Sequence, residues 1–195
     1  MLLIKGRQRP YSGGIMKPTK DIRIAISGKS GCGNTTVSGL LAKTLGIKLI
    51  NYTFRQLAEE KGMTLKEVIE AAKNDDSYDK YVDKHQVELA LEEPCVLGSR
   101  LAIWMLKEAD LKVYLYASDE TRAARIFNRE GGDLQAIKDF TAMRDREDTG
   151  RYKEFYGIDN NDYQFVDLII DTANYNPEQI VEIIINKLVE KGLVS

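Results

Sequence analysis

One segment near the N-terminus constrains the fold more than any other, because an apolar run, a glycine-rich loop and a helical pattern follow one another without a gap. Residues 22–27 are mostly apolar. From residue 35 to residue 45 apolar side chains recur at helical spacing, and Gly46 can end that helix. The loop between them contains Gly28, Gly31 and Gly33. A buried strand that turns through glycines into a helix is typical of α/β proteins.

The same alternation continues along the chain. Further apolar runs predict strands over residues 47–52, 95–99, 111–117 and 165–171, with helical patterns between them. Strands that are apolar throughout indicate a parallel sheet covered on both faces. We therefore expect an α/β fold, a five-stranded parallel sheet with helices on both faces. Ligands of such sheets bind beyond the carboxyl ends of the strands.

The domain organisation follows from the segments that break this alternation. Residues 1–20 are rich in glycine, proline and basic residues without periodicity, which predicts a flexible tail before a single domain over residues 21–195. Residues 53–92 are helical and polar and contain no strand pattern, so we expect a helical insertion there. Thr64 opens a capping box within it, and Asp76 is placed to cap its last helix.

Composition excludes several functional classes. Lysine and arginine total 28 against 30 aspartate and glutamate, a near-neutral balance that argues against a nucleic-acid-coating protein. The apolar runs are too short for a membrane span or a signal peptide, so we expect a cytoplasmic protein without membrane partners. Two cysteines and one histidine give little support to zinc catalysis, a Ser-His-Asp triad or a disulfide scaffold.

The glycine loop matches the phosphate-binding pattern G-x-x-x-x-G-K-[ST] at Gly28, Gly33 and Thr35, but Asn34 stands where the pattern has lysine. Backbone N–H groups of such a loop converge on phosphate, and the Thr35 hydroxyl is placed to bind Mg²⁺. Lys29 is one candidate for the missing positive charge. A tight turn without a ligand is the alternative. The predicted ATP-binding residues are Gly28, Lys29, Ser30, Gly31, Cys32, Gly33, Asn34, Thr35 and Thr36.

The arginines are concentrated where a ligand would bind. Arg55 follows the second predicted strand and Arg100 the third. Arginine recognises phosphate with two donors, whereas lysine serves equally well at any surface. Six further arginines lie within thirty residues: Arg122, Arg125, Arg129, Arg144, Arg146 and Arg151.

Two interpretations divide these six. For Arg122 and Arg146 we favour a structural role on a solvent-exposed helix, with salt bridges to Asp145, Glu147 and Asp148. Contact with phosphate or substrate is favoured for the other four, because cationic helices beside the Gly131-Gly132 break suit a phosphoryl-transfer lid.

These residues together resemble the archaeal-type (type 2) cytidylate kinases, members of the P-loop nucleoside monophosphate kinase superfamily, over residues 22–190. No single motif is specific, but the set is. Besides the glycine loop, its carriers are Asn51-Tyr52-Thr53-Phe54-Arg55, Gly98-Ser99-Arg100-Leu101-Ala102-Ile103-Trp104-Met105, Arg122-Ala123-Ala124-Arg125-Ile126, Arg129-Glu130-Gly131, Arg151-Tyr152-Lys153-Glu154-Phe155-Tyr156-Gly157-Ile158-Asp159 and Val166-Asp167-Leu168-Ile169-Ile170-Asp171-Thr172.

The resemblance implies ATP as phosphoryl donor, Mg²⁺, and CMP or dCMP as acceptor, in a chain that we expect to be a monomer. It also implies that residues 53–92 form the acceptor-binding insertion and about 129–150 a small mobile lid. Arg55 and Arg100 then grip the acceptor phosphate. The run Arg144, Asp148 and Arg151 resembles the R-D-x-x-D-x-x-R run of bacterial CMP kinases, which faces ribose and cytosine.

The catalytic set implied by position is Lys29, Thr35, Arg125 and Arg129, with the two arginines on the lid side of the transferring phosphoryl group. The chain departs from the family at Asn34, and also at its third strand, where residues 97–100 lack the usual acid.

Two alternative functions stay open: a kinase for another acceptor, such as UMP, AMP or a small alcohol like shikimate, and a nucleotide-binding regulatory protein with little turnover.

Overall fold

The computed structural model describes residues 16–195, and its centre is a five-stranded sheet. The strand order is β2-β3-β1-β4-β5, and all four neighbouring pairs are parallel. The predicted fold class is therefore confirmed. The strands are β1 Arg23–Gly28, β2 Lys48–Ile50, β3 Cys95–Gly98, β4 Leu111–Tyr116 and β5 Leu168–Asp171.

Helices cover both faces of this sheet, because alternate side chains of each strand point to opposite faces. From β1, Ile24 and Ile26 enter the core beneath α1 and α8, whereas Ala25 enters the core beneath α4 and α5. The helices are α1 Asn34–Leu45, α2 Phe54–Lys61, α3 Leu65–Ala72, α4 Ser77–Glu92, α5 Ala102–Met105, α6 Asp119–Glu130, α7 Leu134–Tyr156 and α8 Pro177–Glu190.

The predicted insertion consists of α2, α3 and α4, which share a small core of their own around Leu57 and Val68. The Thr64 capping box is present, with Glu67 as its second member. Asp76 makes no side-chain cap at α4. The carboxylate of Asp75 accepts the Ser77 N–H at 2.9 Å instead, so the predicted cap is wrong by one residue.

The predicted lid is built from two long helices. Gly131 and Gly132 have φ values of 72° and 100°, a left-handed region that favours glycine, and they turn the chain between α6 and α7. The carboxylate of Asp133 accepts the Ala136 N–H and caps α7. This helix continues to Tyr156, beyond the predicted lid end at about residue 150.

The predicted tail ends earlier than residue 20. Lys17 exchanges two backbone hydrogen bonds with Ser195, and the Thr19 N–H donates to the Leu193 carbonyl. Pro18 and Val194 form an antiparallel bridge. Residues 17–19 are therefore part of the fold, because the C-terminal segment supplies their backbone partners. Residues 1–15 of the predicted tail lie outside the described residues.

Other predicted boundaries differ by a few residues. Helix α5 ends at Met105, four residues before the predicted Ala109, and β5 begins at Leu168 where the pattern suggests Phe165. Phe165 is exposed and lies within a turn closed by the Val166 N–H and the Tyr163 carbonyl, so its apolar side chain does not belong to the strand. Among the helices of residues 16–195, none has a long enough apolar stretch to span a bilayer.

Candidate active site

The glycine loop lies where β1, the central strand, ends and α1 begins. Gly31 and Gly33 have φ values of 85° and 89°, which allows the loop to fold back tightly. No side chain in residues 16–195 caps the N-terminus of α1 at Gly33. The first N–H groups of the helix are therefore available to an anion, with the helix dipole adding partial positive charge.

The Asn34 side chain is held against the sheet. Its amide donates to the Ile26 carbonyl at 3.1 Å and to the Ser99 carbonyl at 3.3 Å, and its oxygen accepts the Ser38 hydroxyl at 2.9 Å. A Cβ on Gly98 would lie 2.6 Å from that hydroxyl oxygen, so the glycine makes the room. Asn34 thus ties the carboxyl ends of β1 and β3 to α1.

Three other loop positions differ in their surroundings. Thr35 and Thr36 are exposed on the first turn of α1. Cys32 is buried in the core below the loop, and burial raises the pKa of its thiol, as expected of a side chain that fills space.

Arg122 and Asp145 form an ion pair beneath the loop. The Arg122 guanidinium lies 2.5 Å from the Asp145 carboxylate and 2.7 Å from Asp119, and it donates to the Ser30 carbonyl at 3.1 Å. Its side chain is 1% exposed. The predicted salt bridge to Asp145 is present, but the prediction of a solvated arginine is wrong, because the loop and α7 cover it.

Lys29 shares the same carboxylate. Its ammonium nitrogen lies 3.7 Å from Asp145 Oδ2. Asp145 therefore connects α7 both to α6 and to the glycine loop. The sequence pattern predicts Asp145 only as a partner of nearby arginines. Its contact with Lys29 could not be predicted locally, because the two residues are more than one hundred positions apart.

Arg125 joins the loop to the end of β5. Its guanidinium donates to the Gly31 carbonyl at 3.3 Å, to the Thr172 hydroxyl at 2.8 Å and to the Thr172 carbonyl at 2.7 Å. The side chain lies beside the loop, on backbone oxygens. Thr172 ends one of the segments that carry the family resemblance, but the sequence predicts no site role for it.

Arg129 and Arg144 line one cavity of about 280 Å³ between α6, α7 and Ser30. The Arg129 side chain is 67% exposed and pairs with Glu130 at 2.5 Å. Arg144 is exposed and forms no ion pair within residues 16–195. The cavity therefore brings both cationic side chains to the space beside Ser30 of the loop.

On the other side of the loop, Arg100, Asp148 and Arg151 are brought together. The Asp148 carboxylate accepts Arg100 Nη1 and Arg151 Nη2, each at 2.7 Å, and is only 9% exposed. A narrow cleft joins Arg100 and Asp148 to Lys29 of the loop. Arg55 is not among them: it is exposed on the first turn of α2, without an ion pair in residues 16–195.

Two carboxylates of α4, not singled out by the motifs, face the same region. Asp79 Oδ1 lies 3.5 Å from Arg151 Nη1, and Asp83 Oδ2 accepts the Tyr156 hydroxyl at 3.0 Å. Burial raises the pKa of Asp83 to about 6, and it raises that of Asp79 as well. Their spacing of four residues on a helical pattern is the signal that could have found them.

No cluster of three or more histidine, cysteine or acidic side chains within residues 16–195 could hold a metal ion. The Thr35 residue is exposed at the start of α1, and the residue before Gly98 of β3 is Leu97 rather than an acid. This donor set fits Mg²⁺ only as an ion carried largely by nucleotide phosphates and water.

We predict that Asn34→Ala lowers the free energy of unfolding by about 1–3 kcal/mol, because the carbonyls of Ile26 and Ser99 lose a shared donor. Chemical denaturation measures this change. Thr36→Ala, an exposed position two residues further along α1, is the matched control and should change the free energy by less than about 0.5 kcal/mol. Equal stability of the two variants would contradict the role given to Asn34.

The raised pKa of Asp83 predicts a pH-dependent stability. At pH values between about 4, the ordinary pKa of an aspartate, and about 6, the raised pKa of Asp83, the folded protein binds this proton more tightly than the unfolded chain does. The stability of the wild type relative to Asp83→Asn should therefore fall as pH rises from 4 to 6 and stay level above about 7. Urea unfolding across this range measures it, with Asp76→Asn on the exposed start of α4 as control. A flat difference would contradict the prediction.

The chain has close relatives among named proteins. A cytidylate kinase 2 from Borreliella burgdorferi is 46% identical over 176 residues, which cover 88% of this chain and 98% of that relative. A cytidylate kinase from Archaeoglobus fulgidus is 42% identical over 175 residues, covering 88% of this chain and 97% of the relative.

A solved structure of shikimate kinase from Acinetobacter baumannii in complex with shikimate has a TM-score of 0.59 to this fold at 19% identity, and the match covers 88% of this chain and 95% of that one. At that identity the likeness concerns the fold alone. The profile of the cytidylate kinase-like family matches residues 23–174. With this match and the relatives above, the chain belongs to the cytidylate kinase-like family.

Proposed function

We propose that this protein transfers the γ-phosphoryl group of ATP to CMP, with dCMP as a second acceptor. The main support for this proposal is a single cleft that is lined both by Lys29 of the glycine loop and by Arg100 and Asp148. A donor phosphate on the loop and an acceptor phosphate at the arginines would lie side by side there. Phosphoryl transfer needs mainly such positioning together with neutralisation of charge.

On the donor side, the loop N–H groups and the N-terminus of α1 bind the ATP phosphates. Asn34 is neutral and is engaged by the sheet, so the positive charge near the γ-phosphate comes from Lys29. Its pairing with Asp145 at 3.7 Å is loose enough for a phosphate oxygen to replace the carboxylate. Asp145 keeps Arg122 as its partner when Lys29 moves to the nucleotide.

The Thr35 hydroxyl would hold Mg²⁺ together with the β- and γ-phosphates. The ion supplies neutralisation of the charge on the transferring oxygens. Because β3 ends in Leu97-Gly98 and Ser99 follows it, this chain provides no carboxylate there to orient the ion through water. We expect Thr35 to be its main protein ligand.

On the acceptor side, Asp148 holds Arg100 and Arg151 beside each other, through one nitrogen of each guanidinium. Arg144 lies one helical turn before Asp148 on the same helix, with its charge unpaired by any described residue. Arg55 reaches the acceptor phosphate once the insertion closes over the cleft. All these residues belong to one chain, and a monomer is sufficient for the reaction.

The arm formed by α6 and α7 serves as the lid. Arg129 is exposed and weakly held by Glu130, so it can turn into the cavity that it shares with Arg144 when ATP binds. Arg125 is anchored on the carbonyls of Gly31 and Thr172 and orders the loop from the side. Closure of the arm would exclude water and so protect ATP from hydrolysis.

A coupled assay with ATP and each of CMP, dCMP, UMP, AMP and GMP tests the proposal, with shikimate as a non-nucleotide acceptor. CMP should give the highest kcat/KM, and dCMP should follow it. Higher turnover of another acceptor would reassign the substrate. ATP binding without turnover of any acceptor would contradict the proposal and favour the regulatory alternative, which the relatives named cytidylate kinase do not support.

We predict that Arg55→Ala raises the KM for CMP about tenfold or more and changes the KM for ATP much less. The loss of one charge-assisted contact to phosphate costs about 1.5–3 kcal/mol, and each 1.4 kcal/mol is a factor of ten. Arg146→Ala removes another exposed arginine that has no ion pair in residues 16–195 and is the matched control. Similar CMP kinetics in both variants would contradict the role of Arg55.

A further inference from the structure

Two carboxylates of α4 connect the acceptor insertion to α7. Asp79 approaches the Arg151 guanidinium at 3.5 Å, and one turn further along α4 Asp83 accepts the Tyr156 hydroxyl at 3.0 Å. The Lys80 ammonium lies 4.2 Å from the centre of the Phe155 ring, which adds a third contact between the same two helices. The insertion thus contacts the helix that carries Asp148.

These contacts require two carboxylates to be partly buried, which lowers the stability of the folded protein. The Asp79 side chain is 18% exposed, and burial disfavours the ionised forms of both Asp79 and Asp83, as their raised pKa values show. Buried ion pairs contribute little net stability compared with apolar packing of the same shape. Acidic residues at this junction are therefore better explained by the geometry that they impose than by stability.

The geometry that they impose is that of Arg151. Its Nη2 is held by Asp148 at 2.7 Å and its Nη1 lies near Asp79, so two carboxylates on two helices fix the plane of the guanidinium. Its Nε is buried and has no partner within residues 16–195. The chain of charges runs from Asp79 through Arg151 and Asp148 to Arg100, which borders the cleft.

We propose that Asp79 is a positioning residue for the acceptor nucleotide: it orients Arg151 from the insertion, while Asp83 and Tyr156 fix the register of α4 on α7. The orientation of the Arg151 guanidinium that contacts the acceptor then depends on the position of the insertion relative to α7. The inference rests on the proposed function, because it takes Arg151 to be an acceptor contact. It adds to that function a residue that touches no substrate.

Asp79→Asn should raise the KM for CMP about three- to fivefold, the loss expected for one partly exposed ion pair, with kcat and the KM for ATP nearly unchanged. Asp79→Glu keeps the charge and should restore most of the affinity. Glu88→Gln removes an exposed carboxylate on α4 that, within residues 16–195, pairs with His85 alone; it is the matched control and should behave like wild type. Thermal melting of each variant verifies that it is folded at the assay temperature.

A double-mutant cycle separates positioning from a general structural role. If Asp79 acts through Arg151, Asp79→Asn should add nothing to the KM for CMP in an Arg151→Ala background. An equal increase in both backgrounds, or a parallel rise in the KM for ATP, would overturn the inference. So would an unchanged KM for CMP in Asp79→Asn with an active wild type, and this result would leave the proposed function intact. A wild type that turns over no monophosphate would overturn both.

Discussion

The ion pair between Arg122 and Asp145 is the interaction on which the arrangement of the site depends. The Arg122 side chain is 1% exposed, donates to the Ser30 carbonyl and lies directly beneath Gly31, where an added Cβ would meet it at 3.0 Å. It therefore supports the floor of the glycine loop and aligns α6 with α7. Removal of one partner from such a buried pair leaves an uncompensated charge, which costs about 3–5 kcal/mol.

The same principle recurs across the site, where most cations are already held by carboxylates before a nucleotide arrives. Asp145 holds Lys29, and Asp148 holds Arg100 and Arg151. This arrangement lowers the cost of orienting flexible side chains when phosphate binds, but each phosphate must compete with or join an existing ion pair. The near-neutral net charge of the chain is thus compatible with a site that binds several negative charges.

Much of the fold could be predicted from the sequence, because strand and helix patterns and turn residues are local properties. The parallel sheet follows from strands that are apolar throughout, and the break between α6 and α7 follows from Gly131-Gly132. The Thr64 capping box of α3 is equally local. Predictions were wrong where a distant segment decides: Lys17 is ordered by Ser195, and Arg122 is buried by α7.

By itself the sequence determined the fold class, the glycine loop and the concentration of arginines at the carboxyl edge of the sheet, since these depend on composition and spacing. Only the tertiary structure decided what each charge touches. Asn34 is turned to the sheet, Arg125 rests on backbone carbonyls, and Asp79 reaches Arg151 across more than seventy residues. The physical reason is that ion pairs and hydrogen bonds depend on distances of about 3 Å between side chains, which chain packing sets and no local pattern encodes.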